Sequence, residues 1–107
     1  MVKRIILDTN ALMAISNFKI DLFRELENIN FQYDLFILKG TIDELKKIIK
    51  EQRGKYKQAA KLGLALIKAK KIKSIESFGN VDDELVKQSK KGALVLTQDI
   101  GLKRRLH

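Results

Sequence analysis

Short apolar runs, separated by segments with helical spacing, are the feature that most limits how this chain folds. The runs cover residues 2–7, 33–38, 72–75 and 93–96. The spacing of apolar residues elsewhere predicts helices over residues 10–16, 19–29, 55–70 and 81–91, with two more beginning at Thr41 and Thr97. Buried strands that alternate with helices are typical of a parallel sheet covered on both faces. The sequence therefore predicts an α/β fold, a three-layer sandwich with a central parallel sheet, formed by a single domain over residues 1–107.

Local signals refine this prediction. Thr41 and Glu44 have the spacing of a capping box, and Asp82 is in the position of a cap for the helix over residues 81–91. Large aromatic side chains are usually core residues, and we expect this of all five phenylalanines, which are Phe18, Phe23, Phe31, Phe36 and Phe78.

The residue types that are missing exclude several kinds of chemistry. The chain of 107 residues has no cysteine, and its one histidine is His107. A disulfide framework, a thiol nucleophile and a Cys-ligated zinc site are therefore excluded. A Ser-His-Asp triad, a two-histidine nuclease site and a His-rich metal site are disfavoured for want of histidines. Any catalysis by this chain must depend mainly on carboxylates.

The charge is strongly positive and unevenly distributed. Of the net charge of +9, residues 1–53 contribute 9 basic and 8 acidic side chains, and residues 54–107 contribute 13 and 5. This asymmetry favours a polyanionic partner such as a nucleic acid, although a solvated lysine-rich surface, a membrane surface or an acidic protein would also account for it. No apolar run approaches the roughly 18 residues that span a bilayer, so we expect a soluble, cytoplasmic protein without a membrane partner. The candidate phosphate contacts are Lys57, Lys61 and Lys68, which share one side of a helix, and Lys103, Arg104 and Arg105 in the last helix.

Acidic residues follow the predicted strands. Asp8 comes directly after the first strand, Glu44 is near the start of the next helix, and Asp99 lies just beyond the fourth strand. The doublet Asp82-Asp83 opens the helix after the third strand. Ligands of open α/β sheets bind beyond the carboxyl ends of the strands, where these acids would converge. Each acid alone is also explained by helix capping or by the helix dipole, but the joint pattern favours a site.

Clustered carboxylates repel one another unless cations neutralise them. Hard divalent ions with oxygen ligands, Mg²⁺ or Mn²⁺, are the expected cofactors. Such ions would activate water and bind a scissile phosphate, while the basic residues hold the polyanion. The sequence therefore indicates a metal-dependent phosphodiesterase.

Four motifs in order resemble the PIN domain family of small metal-dependent ribonucleases. They are residues 5–12 (IILDTNAL), 41–45 (TIDEL), 81–86 (VDDELV) and 94–99 (LVLTQD), with the last continuing into a basic segment. The resemblance implies an endoribonuclease whose substrate is RNA. It also implies that Asp8, Glu44, Asp99 and one of Asp82 and Asp83 bind the metal, with Asp82 preferred.

Further expectations follow from the resemblance. Asn10 and Thr97 would orient carboxylates or water, and Asp43 would be a neighbour of the site and not a ligand. The doublet and the basic tail look closer to archaeal and ribosomal-RNA-processing members than to VapC toxins, so the partner would be either a ribosome-assembly factor or an antitoxin. The usual last strand of the family is not evident, which would leave an edge uncovered and favours a homodimer or a monomer of low stability. The alternatives to a ribonuclease are a non-catalytic RNA-binding module and a phosphoacceptor signalling domain.

Overall fold

The computed structural model describes residues 2–17 and 32–97, with the side chains of residues 15–17 excepted. We number the elements within these ranges in chain order. The strands are β1 (Lys3–Leu7), β2 (Tyr33–Leu38), β3 (Lys73–Ile75) and β4 (Leu94–Leu96), and the helices are α1 (Thr9–Asn17), α2 (Lys39–Glu51), α3 (Lys55–Ala69) and α4 (Val81–Lys90). The helices predicted over residues 19–29 and from Thr97 onward lie outside the described residues, as do Phe18, Phe23 and Phe31.

The four strands form one parallel sheet in the order β3-β2-β1-β4. Strand β1 pairs with both β2 and β4, so Ile5 lies between Leu35 and Leu94 in the register. Because every strand runs in the same direction, all of the carboxyl ends meet at one edge of the sheet. The predicted parallel sheet is confirmed.

Successive residues of β1 and β2 point to opposite faces of the sheet and belong to separate apolar clusters. Leu7 and Ile37 pack with residues of α1, α2 and α3 on one face. Ile6 and Leu38 pack with Val81 and other residues of α4 and β4 on the other face. The sheet is thus covered on both sides, and the predicted three-layer sandwich is confirmed.

The predicted capping box at Thr41 is wrong. Helix α2 begins at Lys39, directly after β2, and its N-cap residue Leu38 makes no side-chain cap. Thr41 is fully buried within the helix, so its hydroxyl is not available at a helix end. The physical reason is tertiary packing, because Gly40 lies so close to Val81 of α4 that an added Cβ would meet Val81 Cγ2 at 2.7 Å.

Two further predictions are corrected. Asn80 and not Asp82 caps α4, since the backbone N–H of Asp83 donates to Asn80 Oδ1 at 3.2 Å. Phe78 is 85% exposed and is not a core residue. Phe36 does pack against the cluster that contains Ile6.

Among the described residues, none of the helices is both long and apolar enough to cross a bilayer. The described sheet ends at β4, and the residues after Thr97 lie outside the described part. The expectations of an absent last strand and of a homodimer therefore stay predictions.

Candidate active site

Asp8 is the buried centre of the site. It follows the last residue of β1 at the carboxyl edge of the sheet and is only 3% exposed. The register that pairs Leu7 with Leu96 brings Asp8 beside Thr97. The Thr97 hydroxyl donates to Asp8 Oδ2 at 2.7 Å, and the Thr9 backbone N–H donates to Asp8 Oδ1 at 2.7 Å. Both carboxylate oxygens are thereby held in place by short bonds to an ionised acceptor.

The backbone also fixes this carboxylate between two elements. The N–H of Asp8 donates to the Leu96 carbonyl of β4 at 2.9 Å, and its own carbonyl accepts from Leu12 at 3.1 Å at the start of α1. Asp8 is therefore both the last position in the ladder with β4 and the first carbonyl of a helix. The supporting role predicted for Thr97 rests on a direct contact with Asp8, whereas Asn10 is exposed on α1.

Glu44 of α2 belongs to the same site. Partial desolvation raises the pKa of Glu44, and the negative charges of Asp8 and Asp82 raise that pKa further. The Thr9 hydroxyl opposes these effects by interacting with the carboxylate, which lowers the pKa. Although Glu44 is exposed, the charges of Asp8 and Asp82 act on its carboxylate, so the three acids share one electrostatic environment.

Thr9 lies at the candidate site, although the sequence analysis assigned it no role there. Its side chain is buried, and no partner meets the geometry of a full hydrogen bond to Oγ1. The interaction with Glu44 is therefore longer or more bent than an ordinary hydrogen bond. The position of Thr9 between Asp8 and Asn10 is the sequence feature that could have indicated this contact, but small polar residues at such a position are equally typical of a helix start.

The structure separates the two members of the acidic doublet. Asp82 is partly buried, and its charge acts on Glu44. Asp83 is exposed, and its backbone N–H is taken up by the cap of α4. Asp43, next to Glu44, is exposed as well. The positions favour Asp82 over Asp83 as the third site acid.

Other predicted site residues are placed as follows. Lys57 is partly buried, and Lys61 and Lys68 are exposed, all on α3. Helix α3 packs on the same face of the sheet as α1 and α2. The fourth acid, Asp99, and the basic residues Lys103, Arg104 and Arg105 lie outside the described residues.

The residue types at the site fit a divalent metal ion. Within residues 2–17 and 32–97, no three acidic or histidine side chains are already gathered closely enough to hold a metal by themselves. The donors that do meet there are carboxylate and hydroxyl oxygens, which Mg²⁺ and Mn²⁺ prefer. The raised pKa of Glu44 and the buried Thr9 hydroxyl without a full partner are both features that a bound cation would relieve.

Comparison with known proteins identifies the family. The model of the PIN like domain matches residues 5–107, which is nearly the whole chain. The chain belongs to the PIN-like domain family. Among curated relatives, this PIN-like chain is 30% identical over 107 residues to Ribonuclease VapC4 of Methanocaldococcus jannaschii, covering 96% of this chain and 82% of the relative. It is 32% identical over 102 residues to Ribonuclease VapC9 of Archaeoglobus fulgidus, covering 94% of this chain and 73% of the relative.

The fold of the PIN-like chain is similar to that of a solved nuclease. The PIN domain endonuclease Utp24 superposes with a TM-score of 0.72 at 25% identity, covering 96% of this chain and 76% of that one. The predicted family resemblance is confirmed by all three comparisons. The sequence relatives carry the VapC name and the structural neighbour a different one, so the preference for one branch of the family stays a prediction.

Proposed function

We propose that this PIN-like protein is an endoribonuclease that hydrolyses RNA phosphodiester bonds with Mg²⁺ or Mn²⁺ held by Asp8, Glu44, Asp82 and Asp99. The observation that carries the proposal is Asp8, a buried carboxylate at the carboxyl edge of the sheet whose two oxygens are fixed by Thr97 and Thr9. Two ribonucleases among the relatives and an endonuclease with the same fold support the assignment. We further propose that the reaction takes place in the cytoplasm.

The role of each residue follows from its surroundings. Asp8 would hold the ion in a fixed direction, because its carboxylate cannot turn without breaking the bond from Thr97. Glu44 and Asp82 would complete the oxygen ligands from two helices that cover opposite faces of the sheet. A divalent ion bound there supplies charge stabilisation to the phosphate and makes water a stronger nucleophile near neutral pH.

Glu44 is the residue we assign to proton transfer. Its side chain is exposed, whereas Asp8 is buried and fixed by two hydrogen bonds, so the Glu44 carboxylate is the one that is accessible to the attacking water. The chain leaves few other choices, since its one histidine is His107.

The test is cleavage of a labelled structured RNA by the wild type and by Asp8→Asn, each with Mn²⁺, Mg²⁺ or EDTA. We expect cleavage with either metal, none in EDTA, and loss of cleavage to background in the variant. Cleavage that survives Asp8→Asn would reveal a contaminating nuclease. Metal-independent RNA binding without cleavage would instead support the non-catalytic RNA-binding module.

Matched variants of neighbouring acids control for the loss of charge. We expect Glu44→Gln and Asp82→Asn to abolish cleavage, and the adjacent Asp43→Asn and Asp83→Asn to retain most of it. Because the N-terminal turn of α4 carries three acids, the effect of Asp83→Asn is compared with that of Asp82→Asn and not with the wild type alone. Equal losses in both members of either pair would contradict the assignment.

A toxin role and a processing role make different predictions in cells. We propose an antitoxin-type protein as the partner, on the strength of the VapC names of the sequence relatives. Expression of the wild type without a partner should then arrest growth, while Asp8→Asn should not. Normal growth with an active enzyme would favour the RNA-processing role.

A further inference from the structure

Phe78 is the most exposed large apolar side chain among the described residues. Five such side chains are exposed there, namely Val2, Tyr56, Leu62, Phe78 and Leu94, and Phe78 is 85% accessible. Single exposed apolar residues are common and need no explanation by themselves. Phe78 differs from the other four because it alone lies in a segment that leaves the carboxyl end of a strand, here β3.

The segment that carries Phe78 is fixed on both sides. On one side, the Gly40 N–H donates to Ser77 Oγ at 2.9 Å. On the other side, Val81 is buried and packs against Gly40 at the start of α2. An ion pair of 3.5 Å between Lys39 and Glu76 adds a further link between the two segments. The exposure of Phe78 is therefore a property of an anchored turn.

This anchoring places Phe78 near the site acids. Gly40, which contacts residues on either side of Phe78, is in the same helix as Glu44. Asp82 follows Phe78 by four residues, so their Cα atoms are separated by at most about 14 Å. The charge of Asp82 in turn acts on Glu44.

The segment that carries Phe78 has no positive charge of its own to attract a polyanion, and the adjacent Lys39 is paired with Glu76. Residues 76–84 contain four acids, Glu76, Asp82, Asp83 and Glu84, and no basic residue. A nucleic acid that passes this segment needs a contact that does not depend on charge, and an exposed aromatic ring supplies one by stacking on a base.

We propose that Phe78 is an RNA-binding residue that stacks on an unpaired base beside the cleavage site. This inference rests on the proposed ribonuclease function and adds to it a side chain that contacts the RNA. A base in a duplex is already stacked and paired, so its face is closed to Phe78.

The first test uses the absence of tryptophan from the chain. Phe78→Trp, made together with Asp8→Asn to prevent cleavage, gives a single tryptophan at the proposed contact, which is excited selectively over the two tyrosines. We expect its emission to be quenched by a short single-stranded oligoribonucleotide, and not by the same strand annealed to its complement. The matched control is Leu94→Trp with Asp8→Asn, because Leu94 is the first residue of β4 and lies toward the opposite edge of the sheet. Equal quenching at both positions, or none at Phe78→Trp, would overturn the inference.

The second test separates stacking from charge and from structure. We expect Phe78→Ala to weaken binding of the single strand by roughly fivefold to a hundredfold, and Phe78→Tyr to restore most of it. The salt dependence of binding should not change in Phe78→Ala, since no phosphate contact is lost. The thermal midpoint should equal that of the wild type, and a lower midpoint would show that Phe78 has a structural role instead.

The outcomes distinguish this inference from the proposed function. Cleavage by the wild type that Phe78→Ala leaves unchanged would refute the stacking contact and preserve the ribonuclease. Quenching by single strands without any cleavage by the wild type would support the stacking contact and refute the ribonuclease. Emission from Phe78→Trp that responds to protein concentration but not to RNA would identify Phe78 as a protein contact and overturn the inference.

Discussion

The bond between Thr97 and Asp8 is the single side-chain contact that most defines the site. Thr97→Val keeps the shape of the side chain but removes the donor to Asp8 Oδ2. Because Asp8 is buried and the lost bond is made to a carboxylate, we expect the free energy of unfolding to fall by about 1.5–3 kcal/mol. Cleavage should fall about 10- to 100-fold through misorientation of Asp8. Urea denaturation and steady-state cleavage measure the two effects.

Thr97→Ser is the matched control for this prediction, because it retains the hydroxyl. We expect Thr97→Ser to keep most of the stability and activity that Thr97→Val loses. Equal losses in the two variants would show that the methyl group of Thr97 and not its hydroxyl matters.

Glu44 makes the stability of the metal-free protein depend on pH. Its pKa in the folded protein is raised above the ordinary value of 4.5, so the unfolded chain releases this proton at lower pH. Below the pKa of Glu44 in the unfolded chain, both states are protonated and Glu44 does not lower the free energy of unfolding. As pH rises from there through the pKa in the folded protein, only the unfolded chain releases the proton readily, so the free energy of unfolding falls. We therefore expect Glu44→Gln to be more stable than the wild type at neutral pH in EDTA. The gain should be under about 1 kcal/mol, because the carboxylate remains largely solvated.

Denaturant unfolding in EDTA at a series of pH values measures this difference. The advantage of Glu44→Gln should shrink toward acid pH. Asp43→Asn, at an exposed neighbouring position, controls for the general effect of removing one negative charge. An advantage of the same size in Asp43→Asn would attribute the effect to net charge.

At the scale of elements, two glycines report how tightly the helices are packed. An added Cβ at Gly40 would meet Val81 Cγ2 at 2.7 Å, whereas one at Gly63 in α3 would meet Leu45 and Leu12 at ordinary contact distances of 3.6 and 3.7 Å. We expect Gly40→Ala to lower the free energy of unfolding by about 1–3 kcal/mol through overpacking. Gly63→Ala should raise it by about 0.5–1 kcal/mol, because alanine favours a helix interior. Denaturant unfolding of the pair tests both signs, and stabilisation by Gly40→Ala would contradict the close contact of α2 with α4.

The strands and most of the helices in residues 2–17 and 32–97 could be predicted from the sequence, because they depend on local apolar patterns. The apolar run over residues 33–38 coincides with β2, and the predicted helix over residues 55–70 differs from α3 by one residue. The start of α2 could not be predicted, because the close approach of Gly40 to the buried Val81 and the burial of Thr41 outweigh the capping signal of Thr41. The exposure of Phe78 could not be predicted either, because a residue in a short turn belongs to no periodic pattern that would indicate which way its side chain faces.

The same distinction applies to the site. The position of Asp8 after a buried strand could be predicted, because the carboxyl ends of parallel strands share an edge. The sequence favours Asp82 over Asp83 only through the family resemblance, because the direction in which each acid of a helix start points depends on which residue caps the helix. That residue is Asn80, whose side chain accepts from Asp83. The interaction of Thr9 with Glu44 likewise joins two segments far apart in the chain.

At the scale of the whole molecule, three layers contribute to the proposed site. Asp8 comes from the sheet, Glu44 from a helix on one face, and Asp82 from the helix on the other face. The carboxyl end of β1 is the place where both helix layers and the sheet meet, because β1 lies inside the sheet between β2 and β4. An acidic centre in a chain with a net charge of +9 requires that the basic residues lie elsewhere on the surface.

The net charge makes a further prediction about how RNA is held. We expect the affinity of the inactive Asp8→Asn protein for single-stranded RNA to fall linearly with salt concentration on logarithmic axes, because each phosphate contact releases counterions. Lys61→Ala and Lys68→Ala, at exposed positions of α3, should each lower the magnitude of this slope by about 0.7. Lys87→Ala is the matched control, because this exposed lysine is on α4 and so on the opposite face of the sheet. Fluorescence anisotropy over a salt titration measures the slopes. Equal changes in all three variants would mean that RNA senses the diffuse charge of the protein, and a change confined to α3 would locate the path of the phosphate backbone on that helix.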